Sequence, residues 1–496
     1  MSELSLGNGA SLVYSLPEIV LGTAVVGLFL IDLVVARKEL LGEIAFVMMA
    51  AVMFCTALVA WPEGRALFNR SMVVDGFALY FKLLLSLAAV GTIWMSLGSR
   101  EVRTANQGEY YALLLASTLG MFFMASATNL LMAYLSLEFV SLTSYVLSGY
   151  TRHSRRAGEA ALKYLIYGGV ASGTMIYGMS WIYGLTGSLD FQEISTALAQ
   201  QTSDPLPLFV ALVLVTAGLG YKIAAFPFHM WAPDVYQGAP IPVTAFLAVG
   251  SKAAGFALLI RFFYTGVAHA TGLGGWAYSG GVDWAELVTV LCILTMTFGN
   301  LAALNQQANV KRLLAYSSIA HAGYTLMGFV VLTDEGLRAM LFYLTIYYLM
   351  NLGAFVVVMV VSNSTGREDL DGYRGLAWRG GALPAVAMAI FMFSLTGLPP
   401  LAGFVGKFYL FAAVVQQKLY FLALAGIANS VVSLFYYAKV VRTMFLDQPV
   451  GGEGVVTVDA WNGALLGLLT VATVLLGVAW GPLFDLADRS THFFLG

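Results

Sequence analysis

Glu138, Lys222, Lys252 and Lys407 each lie inside a long apolar run of this chain. An ionised group at the centre of a bilayer costs a few kcal/mol on insertion scales, so such groups are neutral, paired or hydrated, and they mark ion paths. Glu138, in Leu-Ser-Leu-Glu-Phe-Val, sits about ten residues into its run, near midplane depth. Lys252, in Val-Gly-Ser-Lys-Ala-Ala-Gly, is too deep to reach either surface with its stem. Lys222 follows Gly218 and Gly220 and precedes Pro227; Lys407 follows Pro399, Pro400, Gly403 and Gly406. These residues predict a helix break before each lysine. Broken backbone at membrane depth is tolerated only within protein or beside water. Carboxyl and amine groups so placed could pass protons.

Weaker candidates surround these. His229 and His321 could relay protons, because imidazole titrates near neutral pH. His229 is expected near the cytoplasmic surface and His321 deeper. Lys163 is expected at the cytoplasmic end of its run, able to snorkel. Lys82 and Arg261 read as structural charges, and Lys439 and Arg442 as headgroup contacts. Gly168, Gly169, Gly173 and Gly178 are expected to let helices approach closely.

Long membrane helices must position these groups. Of the 496 residues 59% are hydrophobic and 10% charged, against roughly 25% charged in soluble domains. A spanning helix needs about 20 apolar residues. On that rule about fourteen spans start near Leu12, Leu41, Val73, Glu109, Thr128, Glu159, Leu206, Ile241, Asp283, Val310, Gly336, Leu383, Leu419 and Asp459. Arg37, Lys38, Arg100, Arg103, Arg152, Arg155, Arg156, Lys311, Arg312, Arg367, Arg374 and Arg379 fall in one set of loops. Only Arg65, Arg70, Arg338, Lys418 and Arg489 fall in the other. The basic excess places the first set in the cytoplasm and both termini outside. The first basic residue is Arg37, which is unlike a cleaved signal peptide, so the first helix is expected to be retained. The polar stretches near 186–204, 268–282 and 362–380 are loop-sized, leaving no soluble domain.

The same residues exclude other classes. A net charge of −2 argues against a nucleic-acid partner. Two cysteines, Cys55 and Cys292, cannot ligate an iron–sulfur cluster or frame a disulfide scaffold. No phosphate loop or dinucleotide fingerprint occurs, and the five histidines form no clear haem pair. Energy must come from an ion gradient or from partner subunits. The resemblance between Ala217-Gly-Leu-Gly-Tyr-Lys222 and the Gly-rich segment before Lys407 suggests a repeat, with the site at paired helix breaks.

The run from Tyr221-Lys-Ile-Ala-Ala-Phe-Pro-Phe-His-Met-Trp-Ala-Pro-Asp through residue 247 closely resembles the antiporter-like membrane subunits of respiratory complex I. Lys311-Arg-Leu-Leu-Ala-Tyr-Ser-Ser-Ile-Ala-His-Ala-Gly-Tyr324 matches their next motif, and the resemblance covers roughly residues 109–444. In Gly397-Leu-Pro-Pro-Leu-Ala-Gly-Phe-Val-Gly-Lys407 the chain has lysine where the paralogous subunit M has an acid. The long C-terminal extension of paralogue L is absent.

The resemblance implies an all-α polytopic membrane protein of about fourteen helices, with two inverted five-helix repeats and two broken helices. Expected units are helices one to three in 1–108, the first repeat in 109–264, the second in 283–445 and the last helix in 459–496. Glu138 then matches the glutamate of the fifth helix, Lys222 the lysine of the broken seventh, Lys252 that of the eighth and Lys407 that of the broken twelfth, nearest the outer exit. Lys163, His229, Tyr316 and His321 match positions along or beside this axis. Glu138 and Lys222 are expected to form an ion pair, worth ~4 kcal/mol at about 4 Å and an effective dielectric near 20. The implied function is proton translocation coupled to NADH oxidation and quinone reduction in partner subunits. This chain would hold no cofactor; NADH, FMN, iron–sulfur clusters and quinone would belong to those partners. Its neighbours would be other complex I membrane subunits, including subunit M and small adjoining subunits, in the bacterial inner membrane. The rival readings are a subunit of a multisubunit sodium/proton antiporter and a purely structural spacer in the membrane arm, against which the buried Glu138, Lys222, Lys252 and Lys407 argue.

Overall fold

The computed structural model describes residues 7–59, 64–103, 106–200, 204–271, 275–281, 284–306, 308–449 and 455–491. The chain is an all-α membrane protein. Long helices, labelled in chain order, are α1 (Leu16–Val34), α2 (Leu40–Leu58), α3 (Gly76–Leu97), α4 (Gln107–Ser126), α5 (Leu130–Ser148) and α6 (Arg155–Thr186). There follow α7 (Leu206–Ile223), the short α8 (Trp231–Gly238), α9 (Ile241–Val267), α10 (Trp284–Asn305) and α11 (Val310–Val330). The last are α12 (Asp334–Thr365), α13 (Ala382–Thr396), α14 (Ala402–Gln416), α15 (Tyr420–Phe445) and α16 (Ala460–Val478). Among the described residues eleven helices are long and apolar enough to cross a membrane.

Most starts agree with the sequence reading to within four residues. Val73 itself lies in a small hairpin, β1–β2 (Arg65–Leu67, Met72–Val74), and the helix begins at Gly76 after Asp75 caps Ala78 N. β-Branched valines pair across a hairpin more readily than they start a helix. The expected start at Asp283 lies outside the described residues. A second hairpin, β3–β4 (Ala268–Ala270, Trp276–Tyr278), and three short helices, Asn8–Tyr14, Phe191–Gln200 and Gly481–Arg489, occupy ends and loops.

Burial sorts the helices. α9 and α12 are buried along almost their whole length, whereas α1, α2 and α16 expose most of theirs. Helices apolar on every side fill the centre of such a bundle. α9 carries two π-helical stretches, Leu247–Ser251 and Phe262–Val267. Such insertions rotate the residues beyond them and recur at functional sites.

One local device occurs in each half of the chain. Asn129 caps α5 through Met132 N, and Asn309 caps α11 through Arg312 N. The next long helix in each half, α6 or α12, has 32 residues and ends at a left-handed glycine, Gly187 or Gly366. The chain then returns so that Asp190 bridges Asn129 and Asp369 bridges Asn309.

Both interrupted segments satisfy the polar groups they free. After α7 the backbone turns at Ala224 (φ 57°), and Trp231 Nε1 donates to Tyr221 O at 2.9 Å. Phe226 N donates to Thr295 Oγ1 at 3.0 Å. After α13, Gly397 (φ 93°) closes the helix with its N–H on Phe393 O and Ser394 O, and Gly403 N donates to Ser394 Oγ. The first break corrects the sequence reading, because it follows Lys222 instead of preceding it. Gly218 and Gly220 stay helical and serve packing: a Cβ at either would meet Met175 or Phe228 within 3.0 Å. Pro227 imposes the interruption, having no N–H to continue the ladder.

Candidate functional site

Lys222 stands in the last turn of α7, 1% exposed, and donates to Ser141 Oγ of α5 at 3.3 Å. Glu138 lies one turn before Ser141 and is half-buried, with Oε1 lacking any hydrogen-bond partner. The two charges act on one another electrostatically but form no ion pair. This corrects the expected contact: the lysine bonds the serine instead, and Glu138 acts on it through space.

Lys252 follows the first π stretch of α9 and donates to Ser318 O at 2.8 Å and Ser318 Oγ at 2.6 Å. That serine opens a polar stripe on α11. Ser317, Ser318, His321 and Tyr324 recur at helical spacing and lie on one face. Tyr347 OH reaches Ser318 Oγ at 2.8 Å, and its ring lies 5.1 Å from that of His321. His321 Nδ1 bonds Tyr343 OH at 2.6 Å, and Nε2 bonds Tyr437 OH at 3.2 Å. Tyr324 OH accepts from Ser430 Oγ at 3.1 Å, and Ser430 Oγ in turn accepts from Lys407 Nζ at 3.1 Å. Lys407 also sits 4.3 Å from the centre of the Tyr324 ring and donates to Thr396 O at 2.9 Å. One face of α11 thus runs from Lys252 through His321 to Lys407, at residues 3% exposed, 3% and 5%.

Other expected members stand apart. Lys163 is 38% exposed and bonds Asp234 and Glu159, each at 2.6 Å. Asp234 is shared with Arg312 at 2.5 Å. Tyr316 turns to this cluster, its ring 5.9 Å from the Arg312 guanidinium, and away from the lysine line. His229 is 3% exposed within the break and packs on Phe226 and Phe298.

The structural charges find acids that the sequence reading passed over. Lys82 pairs with Glu18 at 2.5 Å, both nearly fully buried. Arg261 forks onto Asp75 at 2.6 and 3.1 Å and reaches Ala125 O. The available signal was an acid inside or beside an apolar run, as at Glu18 and Asp75. Lys439 and Arg442 are exposed. Of the four glycines, Gly168 and Gly178 do allow close approach, to Tyr145 and to α7, whereas Gly169 and Gly173 have open space where a Cβ would stand. The tyrosines of the stripe's neighbours were also missed, because Tyr343, Tyr347 and Tyr437 read as bulk apolar filling.

A membrane bundle threaded by buried amines and crossed by two interrupted segments is the architecture of antiporter-type subunits. The family described as NADH:quinone oxidoreductase/Mrp antiporter matches residues 127–433. NADH-quinone oxidoreductase subunit N of Anaeromyxobacter sp. (strain Fw109-5) is 46% identical, with 99% of this chain and 98% of that protein aligned. Subunit N of Chlorobium chlorochromatii is 44% identical over 98% and 96%. A chain of respiratory complex I from Thermus thermophilus with bound aureothin superposes with a TM-score of 0.80 at 33% identity, covering 95% of this chain and 99% of that one. A chain of the Mrp complex from Dietzia sp. shares the fold at a TM-score of 0.82, with 22% identity and 97% of each chain covered. The chain belongs to the NADH-quinone oxidoreductase subunit N family.

Proposed function

We propose that this chain is a proton-translocating membrane-arm subunit of an NADH-quinone oxidoreductase. The observation that carries the reading is the polar face of α11, which sets serine, histidine and tyrosine groups between Lys252 and Lys407, the last reached by way of Ser430 of α15. Glu138 holds positive charge on Lys222 through its field. A shift of charge in a neighbouring subunit weakens that hold, and the proton moves toward Lys252, then along α11 to Lys407. A lysine in protein can switch between charged and neutral as its surroundings change. His229 and Lys163 serve the cytoplasmic approach, and Tyr316 steadies Arg312 beside it.

In this reading NADH, FMN, iron–sulfur clusters and quinone are held by partner subunits. Subunit M and small membrane subunits flank this chain in the bacterial inner membrane. Residues 109–264 and 283–445 form inverted repeats between helices in 1–108 and 459–496, about fourteen spans in all, with both termini outside. The recurring Asn–Asp bridge favours the repeat. His153→Cys tests orientation: in sealed vesicles it should be labelled from the cytoplasmic face alone.

Purification of the native assembly tests the function. NADH-oxidising and quinone-binding partners should copurify; antiporter subunits alone would establish the sodium/proton antiporter instead. Within the intact complex, Lys252→Met should abolish this chain's share of proton uptake by vesicles. Unchanged proton uptake per NADH oxidised would sink the relay.

A further inference from the structure

Beside the polar face of α11 the fold buries two amides, Asn300 of α10 at 0% exposure and Asn429 of α15 at 7%. Unlike a hydroxyl, an amide has a fixed donor end and a fixed acceptor end, and its partners decide which way it faces. Asn429 lies 2.9 Å from Ala425 O, a backbone carbonyl that can only accept. It therefore presents its NH2 there, and the second hydrogen goes to Thr297 Oγ1 at 3.1 Å. Its oxygen is left for Asn300, which must present its own NH2, at 3.1 Å. Asn300 Oδ1 then accepts from Tyr436 OH at 2.9 Å. One backbone carbonyl fixes the direction of every bond in this row, and the Tyr436 proton is committed to Asn300.

The Tyr436 oxygen can then only accept. The Tyr437 hydroxyl stands within reach of it, the two ring centroids being 4.3 Å apart. Tyr437 also meets Ser317 Oγ, and His321 Nε2 at 3.2 Å. A phenol oxygen donates once and has lone pairs to accept. Giving its proton to Tyr436, Tyr437 accepts from Ser317 and from Nε2, which must carry a hydrogen. The other ring nitrogen leads to the same state. Nδ1 faces Tyr343 OH at 2.6 Å, and among the described residues that hydroxyl has no other hydrogen-bond partner. Accepting from Nδ1 would leave the buried phenol proton unbonded, which is costly. Tyr343 donates, so Nδ1 is bare.

We infer that Asn300 and Asn429 are positioning residues that hold His321 in the tautomer with its hydrogen on Nε2. Neither amide can gain or lose a proton near neutral pH, so both act through the tyrosines. In this state Nδ1, turned to α12, is the only acceptor on the ring, and Nε2, turned to α15, is its donor. Asn300 also meets the hydroxyl of Tyr324, which accepts from Ser430 beside Lys407. The same amide thus stands between His321 and Lys407. The effect on pumping rests on the relay proposed above; the tautomer follows from the bonds alone.

Magnetic resonance of isotope-labelled histidine in the intact complex tells a protonated ring nitrogen from a bare one. The His321 signals are assigned by their loss in His321→Gln. Resting wild type should carry hydrogen on Nε2 alone. Tyr436→Phe keeps the ring and removes the oxygen that Tyr437 donates to; Asn300→Leu removes the amide at similar volume. Each should give a mixture of the two tautomers and lower the protons taken up per NADH oxidised roughly two- to tenfold, as expected for losing one net hydrogen bond. The double variant should be no worse than either alone, because both changes break one chain of bonds. Assembly is checked on native gels.

Hydrogen on Nδ1 of the resting wild type, alone or on both nitrogens, would overturn the inference without any variant being made. Hydrogen on Nε2 alone in both assembled variants would also overturn it, since the amides would then not be what selects the tautomer. A tautomer that shifts in the variants while uptake stays at wild type would uphold the positioning role and remove His321 from the relay.

Discussion

Lys407 donates to the backbone carbonyl of Thr396 at 2.9 Å, so the lysine of α14 caps the helix that precedes its own. Thr396 is the last residue of α13, where unpaired carbonyls gather partial negative charge. Lys222 occupies the matching electrostatic position by another route, in the last turn of α7. Each interruption thus presents the negative end of a half-helix to an amine. Such an end favours a cation by about 0.3–1 kcal/mol, and by up to ~2 kcal/mol when partly buried. A permanent carboxylate partner, which would trap the proton, is not required.

Glu138 consequently acts on Lys222 at a distance. Glu138→Gln should lower proton uptake and coupled quinone reduction, since the field favouring the ammonium is lost. Glu138→Asp keeps the charge and breaks no contact with Lys222, so it should retain most activity. If the two variants, both assembled, were equally impaired, side-chain geometry rather than charge would be the controlling property.

The buried Glu18–Lys82 pair joins α1 to α3, apart from the lysine line. Removing one member of a buried pair leaves an uncompensated charge and costs ~3–5 kcal/mol, whereas replacing both with apolar groups is often neutral. Glu18→Gln and Lys82→Met should each lower the melting temperature of the complex, and Glu18→Leu with Lys82→Met should restore it. Proton uptake per turnover should be unchanged in whatever assembles. Loss of uptake in a stable double variant would move this pair into the proton path.

The main axis was legible in the sequence because charge inside an apolar run is conspicuous. Glu138, Lys222, Lys252, His321 and Lys407 all stood out on that ground. The connections between them were not, for two physical reasons. Tyrosine counts as apolar bulk until its hydroxyl direction is known, so Tyr343, Tyr347 and Tyr437 stayed invisible. Interruption geometry depends on which residue turns left-handed, and Ala224 carries no glycine signal. Composition suggested breaks at Gly218 and Gly220, but close packing had claimed both glycines. Tyr316 matched by motif and yet faces the Arg312 cluster, because a helix places adjacent residues about a third of a turn apart.

Glu101, in the loop between α3 and α4, accepts from Ile241 N at 2.7 Å and so caps α9. Burial raises its carboxyl above the usual range, against the opposing effects of Lys311 and the Ile241 N–H. A raised carboxyl binds its proton more tightly in the folded state. Its contribution to stability is therefore present below the ordinary carboxylate pKa and is lost as pH climbs through the folded value. Glu101→Gln keeps an acceptor for Ile241 N and cannot ionise. Thermal melts of the complex should show the variant gaining on wild type as pH rises from the ordinary carboxylate range toward neutrality. A difference that is flat with pH would mean that this carboxyl does not titrate in that window.

Lys407 offers the sharpest test of whether the path needs an amine that can lose its proton. Its Nζ has two fixed acceptors, Thr396 O and Ser430 Oγ, and an aromatic face at Tyr324. All three favour a cation, and an arginine could satisfy them. Arginine stays protonated in proteins, whereas a buried lysine readily becomes neutral. Lys407→Arg should therefore assemble, keep the cap on α13 and still pump poorly. Lys407→Met keeps the stem and discards the charge. It should impair pumping as well, and it should also lower stability, because Thr396 O loses its donor at a cost of about 1–3 kcal/mol. The two variants separate charge from titration: a fixed-charge role predicts that Arg works and Met fails. Proton uptake by vesicles is measured beside NADH–quinone turnover, with assembly verified on native gels. Wild-type pumping by Lys407→Arg would show that this residue never needs to release its proton, and the exit of the path would have to be sought elsewhere on α11.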